Sequence, residues 1–320
     1  MRIVEHDEIP ADMEGEVQLL DLSAGWRTMD FHRVREVKRL GYPVADYFGV
    51  YAVEGDRILS MVRVLRLPYS FLDGHTETLS AIQGVTTRRD VRGRGLARKL
   101  LNEVHARERR AGSSFSLLWT SRSNMAHQLY ESLGYRDIYT PDLAARRLPK
   151  RRVGKDRYRL ETAKIGDAVK IERFHAVATR SRIGFTPRPK GFIRYLLNLR
   201  FTGPDSFRLV FRDGHPVGYL ELQEVPDWVR VSEVVMTEDS SDVAGVLDVL
   251  ERLAAGKCLA LWNTFVRDSR SVLEGRGYPV SDFAYYSLMA LPLNRSHAKN
   301  IDSMLGAADP RFVCQALDYF

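Results

Sequence analysis

Along the first half of the chain, the apolar residues follow two patterns, one typical of β-strands and one typical of an α-helix. Apolar and β-branched residues fill Tyr47–Val53 and Arg57–Leu67 on either side of the turn Glu54-Gly55-Asp56, and this pattern predicts a β-hairpin. Further on, apolar residues recur at i, i+3, i+4 and i+7, which places them on one face of a helix. They are Ala97, Leu100, Leu101 and Val104. The chain therefore predicts a fold of the α/β class.

The same order of elements occurs twice. Phe207–Phe211 and Pro216–Leu222 flank an Asp213-Gly214 turn about 160 residues after the first hairpin. In each copy, helical segments precede the hairpin, and a strand, a helix, a second strand, a helix and a Gly-Tyr pair follow it. This repetition predicts two tandem domains of one type, each with an α+β mixed sheet. The repeated segments are 29–40, 115–120 and Gly134-Tyr135 in the first copy, and 167–179, 190–199, 258–264 and Gly277-Tyr278 in the second.

Basic residues mark the boundary between the copies. Eight of the 14 residues in 146–159 are Lys or Arg, a composition typical of a solvated linker or an exposed hairpin. We therefore predict one domain at 1–150, a second at 157–293 and a C-terminal tail at 294–320. In the tail, the sequence predicts a short helix and an apolar terminus that docks onto the protein.

Composition limits the classes of protein to be considered. With 320 residues, 44% of them hydrophobic and 28% charged, the chain can bury two cores. No apolar run approaches the roughly 20 residues that span a bilayer, and the start carries acidic residues where a signal peptide would be basic and then apolar. We expect a cytoplasmic protein with no membrane partner. Cys258 and Cys314, far apart and without a histidine group, predict neither a disulfide nor a metal site.

The most informative segment for function is the loop that leads into the predicted helix. It follows the strand 81–87 and contains Arg92-Gly93-Arg94-Gly95. Backbone N–H groups at a helix N-terminus attract anions, glycines let a phosphate approach the backbone, and the arginines add positive charge. The segment matches neither the Rossmann nor the P-loop pattern. We predict a diphosphate site, with a flexible turn bearing solvated arginines as the alternative.

Two motifs in this region resemble those of the GCN5-related N-acetyltransferase (GNAT) superfamily. Arg92-x-x-Gly95-x-Ala97 is similar to the (Q/R)xxGx(G/A) signature that binds the diphosphate of coenzyme A. One strand and one helix later, Tyr130-Glu131-Ser132-Leu133-Gly134-Tyr135 resembles the YxxxG(F/Y) element. The resemblance covers residues 1–150 by motifs, and 157–293 by the order of elements only.

The resemblance implies acetyl-CoA as co-substrate and direct attack of a primary amine on the thioester. It implies that strands 81–87 and 115–120 splay apart to admit the pantetheine arm. Tyr130 becomes the candidate general acid that protonates the departing thiolate, with a core tyrosine as the alternative. The implied cofactor-binding residues are Val85, Thr86, Thr87, Arg92, Gly93, Arg94, Gly95, Leu96, Ala97 and Arg98, with Ser123 or Asn124 near a position that often holds a contacting Asn.

The general base is not evident from the motifs. Superfamily members that carry a glutamate on the strand before the loop would place it at Leu79, which cannot act as a base. Glu77 is the nearest carboxylate on the same face, with His75 and Asp73 as loop candidates. A first domain with the cofactor motifs, a second without the cofactor loop and a last segment Leu317-Asp318-Tyr319-Phe320 that ends in an aromatic residue together resemble the enhanced intracellular survival (Eis) family, apart from that family's sterol-carrier-like third domain. That resemblance implies the C-terminal carboxylate of Phe320 as the base.

The second copy lacks the cofactor loop. Thr237–Gly245 holds three acidic residues and one glycine where the first copy has arginines, so it should repel a phosphate. Ser240, Ser241 or Asp242 is instead predicted to cap the following helix. We predict a structural role for this copy.

Partners and alternatives follow from the charge. The net charge of +7, with nine Lys or Arg in 88–110, would suit either CoA phosphates or nucleic acid. A non-catalytic acyl-CoA sensor or a nucleic-acid-binding regulator is therefore the alternative function. Tyr130 favours catalysis, since a pure binder has no use for a phenol at a thioester. The acceptor is expected to be a small-molecule or peptide amine rather than nucleic acid. It would be bound by the loop 69–78 and the helical segment near 26–40, and formation of a homo-oligomer stays open.

Overall fold

The computed structural model describes residues 1–23, 48–150, 157–188, 190–199, 205–237, 243–281, 285–294 and 300–314. Its strands are β1 Arg2–Glu5, β2 Phe48–Glu54, β3 Arg57–Ser70, β4 Thr76–Thr87, β5 Phe115–Ser121, β6 Arg136–Tyr139, β7 Leu143–Arg147, β8 Tyr158–Thr162, β9 Ile183–Gly184, β10 Phe207–Arg212, β11 His215–Glu224, β12 Trp228–Met236, β13 Cys258–Trp262, β14 Val280–Ser281, β15 Tyr286–Pro292 and β16 Phe312–Val313. Its α-helices are α1 Glu14–Ser23, α2 Leu96–Arg110, α3 Met125–Glu131, α4 Ala168–Ala178, α5 Phe192–Leu199, α6 Val243–Leu253, α7 Thr264–Asp268, α8 Arg270–Gly275 and α9 Ile301–Leu305. The predicted α/β fold with mixed sheets is confirmed.

The chain forms two compact units. The first consists of Met1–Tyr139 and Tyr286–Ala307, and the second of Thr140–Tyr285 with the described residues that follow Ala307. The main path of the first sheet runs β1-β2-β3-β4-β5-β15-β6, and that of the second runs β14-β7-β13-β12-β11-β10-β8. Along each of these two paths, one parallel pair, β4 with β5 or β12 with β13, lies among antiparallel neighbours.

Both predicted hairpins form around their glycine turns. Gly55, with φ of +63°, closes β2 onto β3, and Asp213 and Gly214, with φ of 51° and 84°, close β10 onto β11. Two successive residues with positive φ define a type I′ turn, which suits Asp-Gly. The helical stripe is also present: Leu100, Leu101 and Val104 are fully buried in α2, whereas Ala97 is only partly covered.

Along its main path, each sheet contains one strand from the other half of the sequence. β15 pairs with β5 on one side and β6 on the other, while β7 pairs with β13 and β14. The predicted domain at 1–150 thus contains a strand of the second sheet, and the predicted domain at 157–293 contains a strand of the first. The predicted ranges follow the repeat in the sequence, whereas the compact units exchange one strand each.

Part of the predicted linker has regular structure. Arg146 and Arg147 lie on β7, and the Arg146 guanidinium donates to the carbonyl of Arg276 while it lies 5.9 Å from the Tyr278 ring centroid. Residues 151–156 of that segment are outside the described residues. In the predicted tail, α9 is the short helix, and β16 pairs in parallel with β9 with Phe312 fully buried. The last six residues, 315–320, lie outside the described part.

Candidate active site

In the first unit, the parallel strands β4 and β5 pair over only part of their length, and we call the region between their unpaired ends the cleft. β4 and β5 pair at Ser80 with Ser116, Ala81 with Leu117 and Ile82 with Leu118. Within these two fully described strands the pairing stops there, although β4 continues to Thr87 and β5 to Ser121. The carboxyl ends of the two strands are therefore not paired with each other, which is the arrangement that the resemblance implied.

A β-bulge in β4 accompanies the separation. Met61 pairs with Thr86 but Arg63 pairs with Gln83, so β4 contains one extra residue opposite β3. Gly84 lies in that extra stretch with φ of +61°, a conformation that glycine adopts without strain. A Cβ at Gly84 would lie 3.4 Å from Cδ of Arg63. A glycine inside a strand is the signal from which the bulge could have been predicted.

A buried ion pair lies on the β3 side of this bulge. The Arg63 guanidinium binds the Asp21 carboxylate at 2.7 Å, and the two side chains are only 5% and 0% exposed. Asp21 belongs to α1, so the pair fixes that helix to the sheet beside Gly84. Sequence analysis missed both residues, although a lone arginine within an apolar strand is a sign of a buried partner.

The loop that follows β4 presents unpaired backbone donors. After one 3-10 turn at Arg89–Val91, Gly93 and Gly95 take φ of +81° and +74°, and α2 begins at Leu96. Its N-cap residue is Gly95, which has no side chain, and no side chain in the described ranges caps the helix. The N–H groups of the first turn consequently point out of the helix without an internal partner, at the positive end of its dipole. No atom of the described residues lies within 4 Å of a Cβ at either glycine, so the backbone is accessible.

The arginines of the loop differ in what they contact. Arg88 binds Glu16 at 2.7 Å, and Arg98 donates to the Ser132 hydroxyl at 2.7 Å. Arg92 donates through Nε to the Thr87 carbonyl at 3.2 Å, which leaves its terminal amino groups at the surface. Arg94 is also exposed. Arg92 and Arg94 are therefore the side chains best placed to neutralise an anion at the start of α2.

Tyr130 is buried on the short helix α3, with 6% of its surface exposed. Its ring meets the edge of Tyr135, with centroids 5.8 Å apart and planes at 64°. Burial raises the pKa of the Tyr130 phenol well above its ordinary value, so the group stays protonated at neutral pH. Among the described residues, none forms a hydrogen bond with its hydroxyl. The phenol is thus a proton donor that lacks an acceptor in this part of the chain.

A buried polar group holds Tyr135 in place. Its hydroxyl lies 2.7 Å from Ser116 Oγ and 2.8 Å from His105 Nε2. Burial, together with the charge of Arg109, lowers the pKa of His105 to about 4, so this histidine is neutral at physiological pH. The second aromatic residue of the motif therefore supports Tyr130 by packing.

Ser123 and Asn124 act locally at the start of α3. Asn124 is the N-cap and accepts a hydrogen bond from the Ala126 N–H at 3.1 Å, and Ser123 Oγ lies 2.9 Å from Ser121 Oγ. Both side chains are exposed. The contacts that the structure gives them are those of a helix cap, and their proposed contact with a cofactor stays a prediction.

The candidates for the general base at residues 73–77 lie at the start of β4, at the end of the strand opposite to the cleft. Glu77 accepts a hydrogen bond from the Ser114 N–H at 2.7 Å, and it is separated from Val85 by roughly 25 Å along an extended strand. His75 and Asp73 contact each other at 2.5 Å in the β3–β4 turn, and His75 stacks on Phe71. The structure does not bring these residues to the cleft. Phe320 and the segment 26–40 lie outside the described residues.

The second unit has a similar strand pair but a different interior. β12 and β13 pair in parallel from Trp228 with Cys258 to Val231 with Leu261, and a register shift again interrupts β12 opposite β11. The fully buried carboxylate of Glu233 receives two hydrogen bonds of 2.9 Å from Arg188. The acidic segment 238–242, with the predicted caps Ser240, Ser241 and Asp242, lies outside the described residues.

Comparisons with known proteins show which sequences and folds the chain is similar to. Residues 10–138 match the sequence model of the acetyltransferase (GNAT) domain family. Among solved structures, a GCN5-related N-acetyltransferase from Kribbella flavida is 17% identical, with a TM-score of 0.62 over 93% of this chain and 73% of its own. Eis1 from Mycobacterium abscessus is 14% identical, with a TM-score of 0.52 over 77% of this chain and 64% of its own. A tandem GNAT protein from the clavulanic acid biosynthesis pathway is 13% identical, with a TM-score of 0.53 over 92% of this chain and 99% of its own.

Two negative findings accompany these similarities. The search of curated proteins finds no match. No helix in the described ranges is long and apolar enough to cross a bilayer. By sequence, residues 10–138 are therefore similar to the acetyltransferase (GNAT) domain family, and the chain as a whole has the fold of a tandem GNAT protein.

Proposed function

We propose that this chain is an N-acetyltransferase that moves an acetyl group from acetyl-CoA to a primary amine in its first unit. The observation that carries the proposal is a juxtaposition: the uncapped start of α2 lies directly after the strand that separates from β5. An anion-binding helix end and an opening between parallel strands suit the diphosphate and the pantetheine arm of one CoA molecule. The GNAT fold itself supports acyl transfer in general.

Each part of the cofactor has a candidate partner. The backbone from Arg92 to Arg98 would hold the diphosphate, with Arg92 and Arg94 adding positive charge. Val85 and Thr87, at the separated end of β4, would present backbone groups to the pantetheine and the thioester carbonyl. An N–H directed at that carbonyl oxygen would also stabilise the oxyanion that develops during attack.

The proposed reaction is a direct transfer. The lone pair of the amine nitrogen attacks the thioester carbonyl carbon, a C–N bond forms and the C–S bond breaks. Tyr130 donates its proton to the departing thiolate and regains one from solvent, while the acetylated nitrogen loses a proton to a base. The Tyr130 phenol is protonated at neutral pH, as the first of these proton transfers requires.

The base is proposed to be the C-terminal carboxylate of Phe320. This proposal rests on the resemblance to the Eis family, since the residue lies outside the described part of the chain. Glu77 is the weaker candidate because its carboxylate accepts the Ser114 N–H at the far end of β4. The acceptor is proposed to be a small-molecule or peptide amine.

Release of free thiol from acetyl-CoA tests the proposal. The purified chain should release CoA thiol only when an amine acceptor is present, and a panel of polyamines, amino acids, aminoglycosides and lysine peptides would define the acceptor class. Calorimetry at low salt should detect acetyl-CoA binding without any acceptor. Binding without turnover across the panel would favour an acyl-CoA sensor, and absence of binding would remove the enzymatic interpretation.

A further inference from the structure

The helix that carries Tyr130 is short. α3 has seven residues, and a helix of that length is not stable by itself in water, so its position depends on contacts with the rest of the protein. The Asn124 cap and the apolar packing of Tyr130 supply two of these contacts. A third contact is polar, and it connects α3 to both β6 and β15.

His127 and Asp137 form the centre of this contact. His127 lies one helical turn before Tyr130, and its Nε2 is 3.1 Å from Asp137 Oδ1 on β6. The His127 side chain is 11% exposed and that of Asp137 is 30% exposed, so the imidazole is better shielded from water than the carboxylate. Its other ring nitrogen, Nδ1, lies 3.5 Å from Glu131 on the same helix. A partly buried imidazole between two carboxylates fixes the side of α3 that faces the sheet.

Ser287 and Arg122 hold the carboxylate of Asp137. Ser287 Oγ donates to Asp137 Oδ1 at 2.7 Å, and Arg122 Nε lies 3.1 Å from Asp137 Oδ2. Ser287 is fully buried on β15, the strand that the second half of the sequence contributes to the first sheet. Burial alone would raise the pKa of Asp137. The hydrogen bonds from Ser287 and His127 and the charge of Arg122 outweigh burial and keep this pKa below its ordinary value. The carboxylate is therefore ionised when it binds His127.

We propose that Ser287, Asp137 and His127 are positioning residues that fix α3 and thereby place the Tyr130 phenol, so that the second half of the chain takes part in catalysis by the first unit. The proposal rests on the proposed function for its catalytic consequence. Its structural part, the fixing of α3 by a side chain from β15, can be measured without turnover. None of the three residues is assigned a contact with substrate.

The test compares Asp137→Asn and Ser287→Ala with the parent chain and with the same changes in a Tyr130→Phe background. Misplacement of a catalytic group by a fraction of an ångström to about 1 Å can cost up to roughly a hundredfold in rate. We expect kcat to fall about ten- to hundredfold in the parent background, with KM for acetyl-CoA within about twofold. In the Tyr130→Phe background the same changes should have almost no further effect, because the group that they position is absent.

A second readout is independent of activity. Hydrogen exchange of the amides in 126–132 should become faster in both variants, while exchange in α2 stays unchanged. Ser303→Ala is the matched control for Ser287→Ala: it removes an exposed hydroxyl that bonds the Asn300 carbonyl, and it should change neither readout. If Asp137→Asn impairs folding, Ser287→Ala alone decides the question, since it removes one hydroxyl and no charge.

The outcomes are distinct. An equal loss of kcat in both backgrounds, or unchanged exchange in 126–132, would overturn the positioning role while leaving the acetyltransferase proposal intact. A parent chain that binds acetyl-CoA but does not turn over would refute the proposed function. The exchange measurement would then still decide whether Ser287 fixes α3.

Discussion

At Tyr130, burial favours the protonation state that the proposed chemistry needs. A phenol of ordinary pKa is already protonated at neutral pH, and desolvation raises the pKa of this one further; its ring contacts the apolar cluster that includes Leu118 and Met289. Sequence alone could identify Tyr130, because its spacing to Gly134 and Tyr135 forms a motif. Sequence could not show that His105 and Ser116 hold Tyr135, since those contacts join residues that are distant along the chain.

Replacement of Tyr130 by Phe is the direct test of its role. We expect kcat to fall by roughly a hundredfold or more, because the departing thiolate loses its proton donor. Affinity for acetyl-CoA should change little, since the proposed binding contacts come from the loop and from β4. Steady-state kinetics and calorimetry measure the two quantities separately. Unchanged turnover would remove the general-acid role and leave Tyr130 as a core residue.

His105 makes stability depend on pH. Its folded-state pKa of about 4 lies below the ordinary 6.5, so the folded protein binds fewer protons than the unfolded chain between these values. The stabilisation is complete above pH 6.5 and is lost as the pH falls to about 4, with a magnitude on the order of 3 kcal/mol. His175 in the second unit, with a pKa also lowered to about 4 by burial, adds a similar dependence.

Replacement of His105 by Gln should make the free energy of unfolding less sensitive to pH between 4 and 6.5. Gln keeps a hydrogen-bonding group near the Tyr135 hydroxyl but does not titrate. Urea unfolding at about pH 5 and about pH 7.5 measures the effect, and His215→Gln, at an exposed histidine of the β10–β11 turn, is the control. An unaltered difference between the two pH values would mean that His105 does not govern the acid response.

At the scale of elements, local sequence signals were sufficient to predict most of the strands and helices of the first unit. The hairpin of β2 and β3 follows from its glycine turn, and α2 follows from its apolar stripe. The bulge at Gly84 was missed because a single glycine in a strand pattern also fits a weak strand. The separation of β4 from β5 was implied only through the two motifs, since neither strand differs in composition at its separated end.

The start of α2 gives a prediction with an internal control. Gly95→Glu places a carboxylate at the proposed diphosphate site, and Gly112→Glu places one beyond the other end of the same helix. Both glycines have positive φ, +74° and +88°, and open space around them, so each change should cost a similar amount of stability, about 1–2 kcal/mol. Only Gly95→Glu should abolish acetyl-CoA binding in calorimetry. Equal affinities in the two variants would mean that the loop has been misassigned.

The C-terminal segment provides a separate test of the base. Deletion of Tyr319 and Phe320 moves the terminal carboxylate by two residues and should lower kcat without affecting acetyl-CoA affinity. Glu77→Gln should leave kcat nearly unchanged, because its carboxylate binds the Ser114 N–H far from the cleft. Full activity of the shortened chain would exclude the terminal carboxylate as the base.

For the whole molecule, the repeat in the sequence did not reveal the exchange of strands. Both β7 and β15 are short segments in equivalent places of the two copies, so each could in principle return to its own sheet. The pairing of a strand with its neighbours depends on contacts between distant parts of the chain. The local pattern of apolar and polar residues carries little information about these contacts. The duplication could be read from the order of elements, but the composition of each sheet could not.

Because β7 and β15 are exchanged between the two sheets, we predict that the first half of the chain is not a complete acetyltransferase. A fragment of residues 1–150 would lack β15, whose Met289 and Leu291 are buried in the same cluster as Tyr130. β7 is a poor replacement, since it would place Ala144, Arg146 and Arg147 along that position in the sheet. The edges of β5 and β6 would also be left without a partner, which favours aggregation.

We therefore expect the 1–150 fragment to show no cooperative thermal unfolding and no acetyl-CoA binding by calorimetry, although it contains every residue proposed to bind the cofactor. Addition of a second fragment, 157–320, should restore both properties, because that fragment supplies β15 and with it Ser287. The expected recovery distinguishes the loss of a strand from damage caused by the position of the cut. If the isolated 1–150 fragment bound acetyl-CoA with the affinity of the full chain, the strand from the second half would be dispensable, and the positioning role of Ser287 would lose its structural basis.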